Sequence, residues 1–187
     1  TRKAAFIRED GLIVDLNGTS PLSFRTLTSN NYHVEIRHRN HLAIRTNAAM
    51  LLDGTLGYAP ALKDFSSSQA TAYQNPAILA LAPPQNNPAQ ATLGTSFGMW
   101  GANGAISGTN TSGTANTILI GGSPSTNDFT SLTIAAGLCP GSICSNVYSK
   151  NDYNMDGAAR YSGTFAINDY TFLTSVVLGG VITNIRK

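Results

Sequence analysis

The chain opens with short alternating runs of apolar and polar residues. Ala5-Phe6-Ile7-Arg8 leads to the turn residues Asp10-Gly11, Leu12-Ile13-Val14-Asp15-Leu16 follows, and Asn17-Gly18 is a hairpin-type turn. Leu22-Ser23-Phe24-Arg25 is a third run. The alternation is clearest from Tyr32 to Arg39. There Tyr32, Val34 and Ile36 fall on one face of a strand, and His33, Glu35, Arg37 and Arg39 on the other. Leu42 and Ile44 carry the apolar pattern past Asn40. Runs of this kind, at roughly eight-to-twelve-residue spacing, predict a mainly β fold. Its first part, residues 1–58, is expected to be an antiparallel β-sandwich.

The middle, residues 59–92, reads as a loop-rich linker punctuated by Ser66-Ser67-Ser68 and by Pro83-Pro84-Gln85-Asn86-Asn87-Pro88. A short helix is predicted from Asn75 to Leu81. Residues 93–187 carry a degenerate internal duplication. One copy runs from Trp100-Gly101-Ala102-Asn103-Gly104-Ala105-Ile106-Ser107-Gly108 to Ile118-Leu119-Ile120-Gly121-Gly122. The other runs from Asp152-Tyr153-Asn154-Met155-Asp156-Gly157, through Tyr161-Ser162-Gly163, to Val176-Val177-Leu178-Gly179-Gly180. Each has an Asn-Gly or Asp-Gly turn, a Ser-Gly pair and an apolar triplet before Gly-Gly.

Composition changes this picture in one respect. Hydrophobic residues make up 42% of the 187, but Asp, Glu, Lys and Arg only 12%, about half the usual share of roughly 25%. Between Lys63 and Lys150 there is no Lys or Arg, and the only acids are Asp64 and Asp128. A surface of hydroxyls and amides suits an extracellular protein or one covered by neighbouring subunits; a long solvated loop region is the plainer alternative. The net charge of +2 is small and its cations are not clustered with aromatics, so no nucleic-acid partner is expected. No segment approaches the roughly 20 apolar residues of a transmembrane span. No signal-peptide pattern opens the sequence, and a secreted chain is expected here in processed form.

The most chemical feature is Asp152-x-Asn154-x-Asp156-Gly157. A hard cation such as Ca2+ needs several oxygens converging at about 2.4 Å, which side chains at alternate positions supply while the glycine permits the sharp turn. Asp152, Asn154 and Asp156 are the expected ligands, with the Ala158 carbonyl. The closing acid expected at the twelfth position is replaced by Gly163. Asp169 is the candidate to close an enlarged loop, with Asn168-Asp169 opening a helix through Phe172 and Leu173. An Asx-rich turn without metal is the competing reading. The earlier copy lacks Asp at the corresponding positions, and no metal is expected there.

Cys139 and Cys144 flank the turn signal Pro140-Gly141. A short disulfide-closed loop in an oxidising compartment is one reading and a pair of free thiols the other. Gly94-Thr95-Ser96-Phe97-Gly98 matches a nucleophile elbow, but no His follows His41 and no helix-forming run follows Gly98, so the match is rejected. His33, His38 and His41 are the only histidines. Strand alternation puts the first two on opposite faces, so they are expected to support the adjacent turn rather than hold a metal. Glu9 and Glu35 form no paired acid. No catalytic residues and no enzymatic activity are expected.

The run Tyr32-His33-Val34-Glu35-Ile36-Arg37-His38-Arg39-Asn40-His41-Leu42-Ala43-Ile44-Arg45-Thr46 resembles a β-sandwich strand of large secreted surface proteins of Bacteroidetes. The resemblance takes in Arg8-Glu9-Asp10-Gly11, Val14 to Leu22, Phe97-Gly98-Met99-Trp100 and the Asn154-Met155-Asp156-Gly157 loop, which is similar to dockerin-type calcium repeats. It implies export, surface attachment or extracellular assembly, and a calcium role for Asp152, Asn154 and Asp156. It also implies that the sandwich begins upstream of residue 1, so that another chain completes it by strand addition. The function expected is a non-catalytic extracellular structural protein, a cell-surface module or filament subunit that self-assembles with identical subunits. A calcium-dependent adhesion or glycan-binding module and an accessory domain of a larger secreted hydrolase remain as alternatives.

Overall fold

A computed structural model of the chain describes residues 1–55, 61–83, 86–104, 117–119, 127–145, 149–164, 167–178 and 184–186, with 117–119 and 184–186 described by backbone alone. Two compact units interleave along the sequence. One comprises Thr1–Val34 and Ala48–Lys63, the other Glu35–Asn47 and Asp64–Lys187. The first six strands in chain order are β1 (Phe6–Ile7), β2 (Ile13–Val14), β3 (Asn30–Tyr32), β4 (Glu35–Ile36), β5 (Ile44–Arg45) and β6 (Met50–Leu52).

In the first unit β1 pairs antiparallel with β2, and β3 with β6, Tyr32 standing opposite Met50. The turns read from the sequence are present. Asp10 Oδ1 accepts the Leu12 N–H, and Asn17 Oδ1 accepts the N–H groups of Thr19 and Ser20. Gly11 and Gly18 take positive φ angles of 83° and 80° that only glycine adopts without strain.

The expected β-sandwich over residues 1–58 is not formed, and the chain is not plainly mainly β. Every sheet among the described residues consists of two strands of two or three residues. A sandwich buries the inward-facing side chains of two sheets against one another. Among the described residues of the first unit the buried apolar ones are Val14 and Leu52, while Phe6 and Ile7 are 53% and 65% exposed and Leu16 and Leu51 are also exposed. The alternation from Tyr32 to Arg39 yields two fragments, β3 and β4, one in each unit.

The second unit holds the larger core. Its first helix, α1 (Pro76–Leu79), is capped by the Asn75 side chain, which accepts from Ala77 N, with Pro76 at the first helical position. Strands β7 (Ala91–Leu93) and β8 (Ser96–Gly98) form a hairpin about Gly94-Thr95, with Leu93 opposite Ser96. Ser96 therefore opens a hairpin strand and not a strand-to-helix elbow. Helix α2 (Asp128–Gly137) buries Asp128, Leu132 and Ala136, a four-residue spacing that defines one face. Helix α3 (Asp169–Thr171) runs on through Phe172–Val177, where the turn widens and the Leu178 N–H bonds to the Leu173 carbonyl. Leu42, Ala102, Leu132, Tyr153, Ala159, Leu173, Val177 and Leu178 meet in one core, with Trp100, Phe129, Tyr170 and Phe172 packed around it. No helix among the described residues is long and apolar enough to cross a membrane.

The duplication read from the sequence is also corrected. Ile118 and Leu119 lie on strand β9 (Thr117–Leu119), which pairs with Asn184–Arg186. Val176 and Val177, their supposed counterparts, end a helix. Ala105 to Gly108, Ile120 to Gly122 and Gly179-Gly180 lie outside the described residues.

Leu173 is fully buried in this core, and Leu138 is 83% exposed. Leu173→Ala is expected to cost about 2–5 kcal/mol in urea unfolding, and Leu138→Ala less than about 0.5 kcal/mol.

Candidate metal centre

The loop from Asp152 to Gly157 is shaped by its own backbone donors. The Asp156 N–H points at Asp152 Oδ1 and Asn154 Oδ1, both 3.1 Å away, so one nitrogen draws two of the expected ligand oxygens together. The Gly157 N–H bonds to Asp152 Oδ2 at 3.1 Å, and the Ala158 N–H to Asp156 Oδ1 at 3.0 Å. Met155 and Gly157 take positive φ angles of 59° and 87°, which curl the chain between these anchors. Ala158 begins the strand Ala158–Arg160, which pairs antiparallel with Ile143–Ser145 and fixes the loop's exit.

Asp169 sits at the start of α3, and its carboxylate ties both ends of the loop. Oδ1 accepts the Tyr153 N–H at 2.6 Å and the Asn154 N–H at 3.2 Å, and Oδ2 accepts the Arg160 N–H at 2.6 Å. Asp169 is fully buried. Burial pushes its carboxyl up to about 6, the three N–H donors pull the other way, and the Asp152 charge adds a further upward push. A folded value above the ordinary 3.8 means that folding takes up a proton between about pH 4 and 6. This group therefore favours the folded state most in acid, and that contribution is gone above about pH 6.

The donor set fits a hard cation in part. Asp152, Asn154 and Asp156 offer side-chain oxygens at alternate positions, as calcium requires. Asp169 is less available than its charge implies. Both lone pairs of Oδ1 are taken by N–H groups, which leaves one on Oδ2. The chain already supplies cations of its own: Arg160 Nη1 lies 3.0 Å from Asp156 Oδ2 and Arg39 Nη2 3.6 Å from Asp152 Oδ2. Among the described residues no group of three or more His, Cys, Asp or Glu side chains converges as a ready metal cluster.

The loop enters the core at Asp152 and Tyr153 and comes to the surface at Met155 and Asp156. Tyr153 is buried between the two helix starts, its hydroxyl donating to the Asp128 carbonyl at 2.8 Å while its N–H reaches Asp169. Burial pushes that hydroxyl's pKa well up, and the Asp128 and Asp169 charges add to it. Gly104 presses against the Tyr153 ring and the Asn151 side chain so closely that a Cβ there would overlap both. Asn40, on the turn after β4, donates from its side chain to the Asp152 carbonyl, and its own carbonyl accepts the Asn103 N–H at 2.8 Å.

These contacts expose a duplication that the apolar triplets concealed. Asn127-Asp128-Phe129-Thr130-Ser131-Leu132-Thr133 and Asn168-Asp169-Tyr170-Thr171-Phe172-Leu173-Thr174 match at five positions, with Phe129 standing for Tyr170. In both, the Asn side chain caps the helix, the Asp is buried at its first position and the Leu fills the core. Phe129 and Tyr170 meet with ring centres 5.3 Å apart. The signal was present in the sequence as an Asn-Asp-aromatic-Thr-x-Leu-Thr string.

Cys139 and Cys144 are joined in a disulfide with Cα atoms 5.3 Å apart, closing the turn at Pro140-Gly141. His33 belongs to the first unit, whereas His38 and His41 belong to the second and bring their Nδ1 atoms to 2.9 Å. Comparison with family models, curated proteins and solved structures returns no match.

Asp169→Ala leaves three N–H groups without their acceptor and is expected to destabilise the chelator-treated protein by about 3 kcal/mol or more, since each unpaired buried donor costs roughly 1–3 kcal/mol. Asp156 is exposed, and Asp156→Ala is expected to cost about 1 kcal/mol. Urea unfolding of the two variants checks the difference.

Proposed function

We propose that this chain is a non-catalytic extracellular structural module whose second unit is fastened by one calcium ion at Asp152, Asn154 and Asp156. The observation that carries the reading is the place of the acidic loop. Its oxygens are arranged by its own backbone, and its second residue, Tyr153, is a core residue. A cation bound there would neutralise carboxylates and brace a fold. Asp152, Asn154 and Asp156 would hold it, the Ala158 carbonyl would add a further oxygen, and Asp169 would reach it through the remaining lone pair of Oδ2 or position the loop behind it.

The disulfide between Cys139 and Cys144 supports an oxidising, extracellular setting. The first unit supports packing against identical subunits, because among the described residues its sheets have only two strands each and Phe6, Ile7, Leu16 and Leu51 are exposed. A glycan-binding reading gains no such support. The aromatic trio Phe129, Tyr161 and Tyr170 packs at mutual tilts of 52–59°, ring against ring, and presents no flat platform for a sugar.

Native mass spectrometry with and without a chelator tests both parts. The expected result is one calcium per chain, lost on chelation and in Asp156→Ala, together with multimers of identical subunits. A metal-free monomer in millimolar calcium would overturn the reading. With saturating calcium at about a hundredfold over the dissociation constant, the unfolding free energy should rise by about 2.7 kcal/mol.

A further inference from the structure

His38 and His41 lie at the two ends of the turn that carries Asn40 into the core. The His41 N–H bonds to the His38 carbonyl at 3.3 Å, and the rings face each other with Nδ1 atoms 2.9 Å apart. That separation is an N–H···N hydrogen bond, in which one ring donates and the other accepts. Beyond the turn, the Asn40 carbonyl accepts the Asn103 N–H, the Asn40 side chain donates to the Asp152 carbonyl, and the Leu42 N–H bonds to the Trp100 carbonyl. Asn40 and Leu42 are fully buried.

We propose that the His38–His41 pair is a proton-counting latch: the shared Nδ1 proton keeps this turn seated, and full protonation of both rings in acid releases Asn40 and Leu42 from the core. The bond survives one added proton, carried by His38 with His41 accepting. A second proton leaves each Nδ1 bearing a hydrogen, with no lone pair between them, and the contact turns repulsive.

The surroundings set the direction. Burial holds His41 down at about 4, with the His38 and Arg39 charges adding to it, and burial followed by the Arg39 charge lowers His38. The other charged groups nearby are engaged: Arg37 with Glu35 on β4, Arg45 over the Tyr73 ring, and Asp152 with Arg39. The His41 ring and Phe172, which brings no charge, both lie beside Gly101. A folded value below 6.5 means that the open form takes up protons more readily, so closure weakens as pH falls from about 6.5 toward 4. Asn40 Oδ1 is buried without a hydrogen-bond partner among the described residues and gains water when the turn opens.

Amide exchange of Leu42 and Asn103, corrected for intrinsic rates, together with imidazole nitrogen shifts, tests this between pH 7 and 4.5 in chelator. Protection at both amides is expected to fall by about tenfold or more across that range, as proton uptake by the open turn competes with closure. In His38→Phe, which keeps a ring and cannot share a proton, protection is expected to be lower at pH 7 and to fall less with acid, because only the burial of His41 and the Arg39 charge then remain. Unchanged protection in the wild type at pH 4.5, an equal acid-dependent fall in His38→Phe, or independent titration of both rings near 6.5 would each overturn the latch. If the variant does not fold, the wild-type shifts and protection decide alone.

Discussion

The second unit depends on one buried carboxylate. Asp169 receives N–H groups from both ends of the 152–160 segment, so a single side chain sets where the loop begins, where its exit strand lies and how α3 starts. Placing a charge in a core is costly unless every oxygen finds a donor. Here three donors are supplied by backbone that would otherwise be orphaned in an Asx-rich turn. The carboxylate and the loop satisfy one another, and neither is tenable alone.

Around this tie the polar residues at the centre form a connected set. Asn127 and Asn168 cap helices, Tyr153 spans from the Asp169 carboxylate to the Asp128 carbonyl, and Asn40 joins the Asn103 and Asp152 segments. A buried polar network of this kind specifies one arrangement, because any slip leaves several groups unpaired at once. The apolar side chains Leu42, Leu132, Leu173 and Leu178 supply burial, and the polar set decides their register. The low charge of the chain accords with this economy. Of the four Asp residues after Asp64, three (Asp128, Asp152 and Asp169) are buried.

Local chemistry is legible in the sequence where it is self-contained. The turns at Asp10-Gly11 and Asn17-Gly18, the Asn75 cap and the Asn168-Asp169 helix start follow from residues that act within four positions of themselves. The layer architecture is not legible. Alternation along Tyr32 to Arg39 fixes which side chains share a face, but burial of that face depends on a second layer that the described residues do not form. Helix α2 escapes a reading of periodicity because Ser131, Thr130 and Thr133 blur its apolar face, and only Asp128, Leu132 and Ala136 mark it. The meeting of His38 with His41 requires a tight turn at residues 38–41, which strand periodicity does not foresee.

The most direct measurement of the central claim is residue-resolved hydrogen exchange of the folded protein at pH 7. If the Asp169 carboxylate organises the second unit, the amides of Tyr153, Asn154 and Arg160 should be protected to a level comparable with the core helix amide of Leu173, although none of the three lies within a helix. Exchange of those three amides at the rate of the exposed turn amide of Thr19, with Leu173 still protected, would contradict it.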